Sequence, residues 1–163
     1  MEKGNYPLSN EWSFYIHLHH TDDWSYESYT KIIDLAYAED AILLSDEINY
    51  DFIKKSMFFL MKKNIKPMWE DENNRNGGCF SFKIINKNIE KIWKEVFYTL
   101  IGNGLISGEK NKNINGITLS PKKNFCILKV WMKDCNNIDP DIFVNIKGMS
   151  KEGCIFKKHQ AES

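Results

Sequence analysis

Near the middle of the chain, a tryptophan stands directly before three acidic residues, in the segment KPMWEDENNRNGG that spans residues 66–78. Trp69 precedes Glu70, Asp71 and Glu72, and the asparagines and glycines that follow favour turns. An indole in such a polar loop is either the rim of a core or a platform on which a flat ligand stacks. Stacking a base on an aromatic ring contributes ~1–3 kcal/mol, and a cationic ring adds cation–π attraction.

Glu70 supplies a second element of such a site, because a carboxylate accepts two parallel hydrogen bonds from a ligand edge with two N–H donors. Guanine has that edge and adenine does not. Trp24 and Trp131 also fall near loops or strand ends, whereas Trp12 and Trp93 lie on apolar faces and are predicted to be core. A stacked nucleobase is therefore one hypothesis. The alternative is ordinary packing at the rim of the core beside a solvated acidic run.

Length, charge and cysteine content narrow the possible classes. The 163 residues suit one domain with a real core, and the formal net charge of +0 means that any anion site must be local. The four cysteines form no C-x-x-C pair, and His17, His19 and His20 lack further ligands, so neither a metal nor a cofactor is expected. His17 and His19 are expected on the polar side of a strand. Without a signal peptide or membrane-length apolar run, a cytoplasmic location with reduced thiols is expected.

Apolar periodicity predicts mostly strands, with single helices between them. An α+β fold follows, in which a curved antiparallel sheet carries about three helices on one face. The predicted strands are 11–19, 29–35, 56–63, 79–85, the hairpin within 116–132, and 154–160. The predicted helices are 38–48, 86–103 and a short one within 138–153.

Four segments resemble the eukaryotic translation initiation factor 4E family, which binds the 7-methylguanosine cap of mRNA. They are YPLSNEW (6–12), IKPMWEDENNRNGG (65–78), IWKEVFYTLIG (92–102) and INGITL…VWMKDC (114–135), in the family's order and nearly its spacing. The resemblance implies a single cap-binding domain, 1–163, without enzymatic activity. It also implies a curved sheet with helices on the convex face and the cap on the concave face.

The resemblance assigns roles to four residues around the base. Trp24 and Trp69 match the two stacking indoles, and Glu70 matches the acid that pairs with the guanine edge. The backbone N–H of Trp69 would meet the guanine carbonyl, and Trp131 matches the indole that touches the N-methyl group. The implied partner on this face is capped mRNA.

The phosphate side departs from the family pattern. Cys79 stands where an arginine is usual, Lys122 matches the phosphate-clamp arginine, and Ile127 replaces a further lysine. Strand alternation puts Lys129 on the same face as Trp131, so Lys129 is a candidate substitute. The tail residues 157–159 fall where the family's terminal loop approaches the second nucleotide. The candidate phosphate ligands are Lys122, Lys123, Lys129 and Lys158.

The opposite face would bind a helical peptide from a scaffold or repressor protein. There Ile42 replaces a tryptophan, Ala38 a valine, and Lys94 and Tyr98 two leucines, so a partner with a diverged helix is expected. The full candidate surface is Pro7, Ala38, Ile42, Trp93, Lys94, Glu95 and Tyr98.

The favoured function is cap binding for translation initiation. One alternative is a cap-binding repressor that does not recruit the usual scaffold, because the cap side is kept while the partner side has changed. Another is an enzyme that acts on caps, but the sequence shows neither clustered carboxylates at metal-binding spacing nor a nucleophile–base pair.

Overall fold

The computed structural model describes residues 6–18 and 21–159. Its strands form one seven-stranded sheet in the order β2-β1-β3-β5-β6-β4-β7, and every neighbouring pair is antiparallel. The strands are β1 Pro7–Leu18, β2 Thr30–Tyr37, β3 Ser56–Lys62, β4 Gly78–Ile85, β5 Ile114–Pro121, β6 Phe125–Met132 and β7 Ile155–Lys158. The predicted α+β fold with an antiparallel sheet is confirmed.

Two α-helices, α1 Ala38–Glu47 and α2 Ile89–Ile101, lie where the sequence predicts the first two helices. The third predicted helix, within 138–153, is only the 3-10 turn Pro140–Ile142. Gly148 and Gly153 have φ of 92° and 82°, outside the helical region, so a continuous helix does not form there. Further 3-10 turns are Tyr26–Ser28, Tyr50–Lys54, Asn86–Asn88 and Gly108–Asn113.

Each α-helix has a local cause. The carboxylate of Asp40 accepts hydrogen bonds from the backbone N–H groups of Ala36 and Tyr37, both at 3.0 Å, and so satisfies donors at the start of α1. Helix α2 buries apolar residues at helical spacing and ends at Gly102, after which Asn103 adopts φ 61°. The buried residues of α2 are Ile89, Ile92, Trp93, Val96, Phe97, Leu100 and Ile101.

The main core lies between the helices and one face of the sheet. Trp12 and Trp93 are each only 1% exposed, which confirms their predicted core positions. The rings of Phe14 and Phe58 meet Trp93 edge-on at 6.4 and 5.8 Å. Such edge-to-face pairs add to the stabilisation from apolar burial.

The other face of the sheet, here called the open face, carries a second cluster of buried residues: Tyr15, Phe59, Met61, Cys79 and Trp131. The prediction of a solvent-facing polar side for β1 is therefore wrong. Ser13 is 1% exposed and His17 is 0% exposed, because the chain after β1 folds back over this face. His19 lies outside the described residues.

Candidate functional site

Two loops meet on the open face although they leave the sheet from opposite ends. The end of β1 pairs with the start of β3, so the segment 21–29 (the Trp24 segment) and the segment 63–77 (the Trp69 loop) begin far apart. Both nevertheless fold across the sheet, and the ammonium of Lys66 lies 4.9 Å from the ring centre of Tyr26. This cation–π contact joins the two loops that carry the candidate indoles.

Trp24 is held from one side and open on the other. Its indole lies parallel to the imidazole of His17, with ring centres 4.0 Å apart and planes 1° apart. The Nε2–H of His17 donates to the carbonyl of Asp23 at 2.7 Å, which fixes the chain next to the indole. Trp24 remains 48% exposed. A large exposed ring with a fixed backing is suited to stacking against a ligand.

The Trp69 loop is ordered by its own polar side chains. The carboxylate of Asp71 accepts from the backbone N–H groups of Lys66 at 2.9 Å and Asn73 at 2.8 Å. The buried side-chain amide of Asn74 donates to the carbonyls of Lys66 and Met68. Asp71 thus serves the loop itself, as such residues commonly do in turns.

Glu70 is left exposed on this loop beside Trp69, which is 42% exposed. Burial raises the pKa of Tyr29 to about 12, and the negative charge of Glu70 adds to the rise. The ring centre of Tyr29 lies 6.3 Å from that of Trp24. The structure brings Trp24, Trp69 and Glu70 to one region of the open face.

Trp131 lies beneath this region and is 4% exposed. Its Nε1–H donates to the hydroxyl of Thr118 at 2.7 Å, and the imidazole of His159 covers it at a centre-to-centre distance of 5.0 Å. His159 is 6% exposed and also lies nearly parallel to Trp69, 5.9 Å away with 14° between the planes. Contact between Trp131 and an N-methyl group stays a prediction.

The His159 imidazole is hydrogen-bonded at both nitrogens. Nδ1 lies 2.8 Å from the carbonyl of Asn74, which can only accept, so Nδ1 carries the proton. Nε2 lies 3.0 Å from Sγ of Cys79 and accepts from the thiol. Burial raises the pKa of Cys79 to about 12, which keeps the thiol protonated near neutral pH. Burial also lowers the pKa of His159, with the charge of Lys129 contributing, so the imidazole stays neutral.

Two of the four candidate phosphate lysines, Lys129 and Lys158, lie near Trp69, and two do not. A small cavity of about 70 Å³ is lined by Trp69, Cys79, Ser81, Lys129, Lys157, Lys158 and His159. Lys122 and Lys123 line a different cavity of about 440 Å³ beside Tyr50–Lys54 and the start of α2. They occupy the tip of the β5–β6 hairpin, and at ~3.3 Å per residue that tip is roughly 20 Å or more along β6 from Trp131. Their phosphate role stays a prediction.

The candidate partner surface lies on the helix-bearing side. Ile42 and Tyr98 are 52% and 40% exposed, whereas Trp93 is buried and can support this surface only from below. The Lys94 ammonium contacts the Glu90 carboxylate at 3.1 Å and lies 5.6 Å from the ring centre of Tyr50. Pro7 and Glu95 are exposed and Ala38 is half-buried.

Three further properties of the described part of the chain concern metal ligands, membrane-spanning helices and cysteines. Residues 6–18 and 21–159 contain no group of three or more His, Cys, Asp or Glu side chains placed to hold a metal ion. Within the same residues, no helix is long and apolar enough to cross a membrane. Cys79, Cys126, Cys135 and Cys154 are free thiols.

Sequence reasoning missed the contacts that His17 and His159 make with the candidate indoles. Alternation along β1 places His17 on the face of the strand opposite to Trp12 and Phe14. That pattern fits a solvent-facing residue as well as one covered by a loop, so it did not reveal the contact with Trp24. For His159 the family resemblance pointed to the second nucleotide of the cap, and nothing in the sequence pointed to contacts with Trp69 and Trp131.

A family model described as "Eukaryotic initiation factor 4E" matches residues 7–161. The chain belongs to this family. The eukaryotic translation initiation factor 4E-2 of Schizosaccharomyces pombe is 27% identical over 172 aligned positions, which cover 97% of this chain and 69% of the relative. The initiation factor 4E of Eremothecium gossypii is 26% identical, with 93% of this chain and 70% of the relative covered.

Solved structures of the family share the fold. Ascaris suum eIF4E-3 in complex with the m7G cap superposes with a TM-score of 0.74 at 21% identity, covering 85% of this chain and 78% of that one. Schistosome eIF4E in complex with m7GpppG and 4E-BP superposes with a TM-score of 0.69 at 25% identity, covering 83% of this chain and 76% of that one. The predicted family membership is confirmed.

Proposed function

We propose that this protein binds the 7-methylguanosine cap of mRNA for translation initiation, with the methylated base between Trp24 and Trp69 and its edge on Glu70. The observation that carries the proposal is the meeting of two loops on the open face. Each loop presents an indole with more than two fifths of its surface exposed, and Glu70 follows Trp69 directly in the chain. The m7G cap and m7GpppG complexes of proteins with this fold agree with it.

The physical basis for choosing a methylated base is charge. Methylation at N7 makes the guanine ring cationic, and an indole face attracts a cation with ~0.5–2 kcal/mol depending on desolvation. Two indoles double the number of such faces and exclude water from both sides of the base. The unmethylated ring still stacks but loses the cation–π attraction, so the site prefers the methylated base to unmethylated guanine.

Glu70 is the acid best placed to identify guanine. Its neighbour Asp71 already accepts two backbone hydrogen bonds within the loop, whereas Glu70 is exposed next to Trp69. A carboxylate that accepts from both the ring N–H and the exocyclic amine gives a charge-assisted, two-point contact. Adenine would leave the carboxylate without that pair, which costs free energy in a closed site.

Lys129 and Lys157 are the cations that would meet the phosphates, because they lie opposite Ser81 and Cys79 of β4, on the same face of the sheet as Trp131. Both line the small cavity beside Trp69; Lys158 also lines it but lies opposite Gly78, on the other alternation of the strand. That cavity, about 70 Å³, is well below the ~300–1,000 Å³ of a pocket that encloses a whole ligand. The base therefore stacks in the open cleft above it, and the cavity accommodates only phosphate oxygens.

The protein acts by binding rather than by catalysis, and it uses its helix-bearing side for a scaffold or repressor protein. The solved structure of Schistosome eIF4E contains m7GpppG and 4E-BP in the same complex. The four free thiols fit a reducing, cytoplasmic compartment.

A pulldown with the organism's own scaffold separates an initiation role from a repressor role, and incubation of capped RNA with protein and Mg²⁺ tests for cap cleavage.

The decisive experiment compares 7-methyl-GTP with GTP by quenching of tryptophan fluorescence. We expect the methylated nucleotide to bind at least tenfold more tightly, about 1.4 kcal/mol. Trp24→Ala and Trp69→Ala should each abolish retention on a cap resin, while Ile138→Ala, at a site 59% exposed on another segment, should bind like wild type. Equal affinity for the two nucleotides, or retention of either tryptophan variant shown folded by circular dichroism, contradicts the proposal.

A further inference from the structure

We propose that His159 is a positioning residue which ties the C-terminal strand to the Trp69 loop and sets the orientation of Trp69 above Trp131. The inference rests on the proposed cap-binding function and adds a residue and a mechanism to it. The contacts that support it lie within the chain and do not depend on a bound ligand.

The backbone first places His159 at the start of β4. Strand β7 pairs antiparallel with β4, with Lys158 opposite Gly78, and the N–H of His159 continues the ladder by donating to the carbonyl of Gly77 at 2.9 Å. The approach is close at this point, because a Cβ added to Gly78 would lie 2.6 Å from the carbonyl oxygen of Lys157. The tail is therefore held where the Trp69 loop enters the sheet.

The side chain then joins three elements. Nδ1–H donates to the carbonyl of Asn74 in the Trp69 loop at 2.8 Å, and Nε2 accepts from the thiol of Cys79 on β4 at 3.0 Å. The ring covers Trp131 of β6. A buried imidazole with both nitrogens satisfied has one favoured orientation, because rotation would break both bonds and leave buried polar groups unpaired.

That orientation supports the platform indole. The imidazole lies within 14° of the plane of Trp69 at 5.9 Å, and the carbonyl it holds belongs to Asn74, whose own side chain secures the backbone on either side of Pro67. Loss of the imidazole would free the carbonyl of Asn74 and uncover Trp131. It would also leave Trp69 without the ring that lies nearly parallel to it. Affinity for the base falls because the loop must then be ordered on binding.

The same contacts argue against His159 as a direct phosphate ligand, even though it lines the cavity with Lys129. A neutral imidazole has one N–H, and the carbonyl of Asn74 already accepts it. The remaining nitrogen faces Cys79. Binding a phosphate oxygen would require His159 to give up one of these bonds.

The test uses two ligands, three substitutions of His159 and one control substitution. The ligands are the nucleoside 7-methylguanosine, which has no phosphate, and 7-methyl-GTP. His159→Ala removes the imidazole. His159→Asn places an amide N–H near the position of Nδ1 and can still donate to Asn74. His159→Gln places its amide near the position of Nε2 and cannot. Ile155→Ala, on β7 four residues before His159 and 66% exposed, is the control.

We expect His159→Ala to lower the affinity for both ligands by the same factor, at least fivefold. His159→Asn should recover part of the lost affinity and His159→Gln less of it. Ile155→Ala should bind both ligands like wild type. Unchanged affinities in folded His159→Ala overturn the proposal. A loss confined to 7-methyl-GTP also overturns it, because that pattern identifies a phosphate ligand.

Failure of the wild type to bind either ligand would refute cap binding itself and is visible in the same titration. The positioning role then has a separate readout, the ligand-free tryptophan emission spectrum. His159→Ala should shift the emission to longer wavelength as Trp131 becomes exposed to water, while Ile155→Ala should not. An unshifted spectrum in the folded alanine variant overturns the proposal even in the absence of ligand binding.

Discussion

The imidazole of His17 lies parallel to the indole of Trp24, with ring centres 4.0 Å apart. Strand β1 thus provides a flat, buried support for one face of Trp24 and leaves the other face free. His159 has a comparable relation to Trp69, nearly parallel at 5.9 Å. Each of the two proposed stacking indoles therefore has an imidazole neighbour that is hydrogen-bonded to the loop carrying that indole. His17 bonds to the carbonyl of Asp23, and His159 bonds to the carbonyl of Asn74. Such fixing lowers the ordering cost of binding.

Substitution of His17 tests this support directly. We expect His17→Ala to weaken 7-methyl-GTP binding about threefold to tenfold, because an aromatic pair contributes ~0.5–1.5 kcal/mol and the Asp23 carbonyl loses its donor. His17→Phe keeps a ring against Trp24 but not the hydrogen bond, so it should lie between alanine and wild type. Fluorescence titration gives the affinities, and thermal denaturation checks folding. Wild-type affinity in a folded His17→Ala protein would contradict the supporting role.

Glu70 is the subject of a second prediction, with its neighbour as control. Glu70→Gln keeps the shape but replaces one acceptor by a donor, so the guanine edge is left partly unpaired. We expect a loss on the order of 1–3 kcal/mol in 7-methyl-GTP affinity. Glu72→Gln, on an exposed acid two residues along the same loop, should bind like wild type. Calorimetry decides between them, and equal binding of methylated adenine and guanine nucleotides by wild type would rule out base recognition by Glu70.

The sequence was sufficient for elements that rest on local periodicity. The spacing of Ile92, Trp93 and Val96 predicts helix α2, and the alternation around Phe80 and Phe82 predicts β4; both are observed. The short third helix predicted within 138–153 is observed as the 3-10 helix Pro140–Ile142, and Gly148 and Gly153 take positive φ in the remainder of that segment. Element type follows from local pattern more reliably than element extent does.

The site was only partly predictable, for a different reason. The segment around Trp69 and Glu70 is recognisable as a motif, whereas the burial of His17 and His159 depends on segments that fold over the open face. Those contacts join residues far apart in the chain, such as Cys79 and His159, and no local pattern encodes them. The candidate lysines show the same limit. Alternation put Lys129 on the face of Trp131, but it could not show that Lys122 and Lys123 line another cavity.

The stability of the protein is predicted to fall in mild acid because of His159. Burial lowers the pKa of His159 below its usual value of ~6.5, so the unfolded chain binds the proton more readily than the folded one. The stabilisation is complete above about pH 6.5 and is lost as the pH falls through the folded pKa. Protonation at Nε2 would also remove the acceptor for Cys79 and place a positive charge near Lys129 and Lys157, which line the same cavity.

Denaturant unfolding at several pH values between 5 and 8 measures this effect. The wild type should lose stability as the pH drops below about 6.5, and His159→Asn, which does not titrate, should have a flatter profile over that range. The lowered pKa values of Asp23 and Asp34 act in a more acidic range, below about pH 4, and so do not obscure the comparison. Identical slopes for the two proteins would show that His159 is not the group responsible.

The helix-bearing surface gives the last prediction. The family resemblance implies a leucine where Lys94 stands; the Lys94 ammonium is paired with the Glu90 carboxylate at 3.1 Å, while Ile42 and Tyr98 remain exposed. A partner helix that presents an apolar residue to Lys94 must displace or desolvate the ammonium, which costs free energy that a leucine would not. If Ile42 replaces a tryptophan, as the resemblance implies, contact area on which interface hot spots depend is also lost. We expect an ordinary 4E-binding peptide to bind at least tenfold more weakly than it does to family members with the usual residues, about 1.4 kcal/mol.

Calorimetric titration of one such peptide into wild type, Lys94→Leu and Lys110→Leu decides this. Lys94→Leu should recover part of the affinity by restoring an apolar contact, and Lys110→Leu, an exposed lysine on the 3-10 turn Gly108–Asn113, should not. A peptide variant with an acidic residue facing Lys94 should bind the wild type more tightly than the ordinary peptide, because opposite charges then meet in place of a desolvated ammonium. Tight binding of the ordinary peptide to the wild type would show that the substitutions are neutral, and the repressor role would then lose its main support.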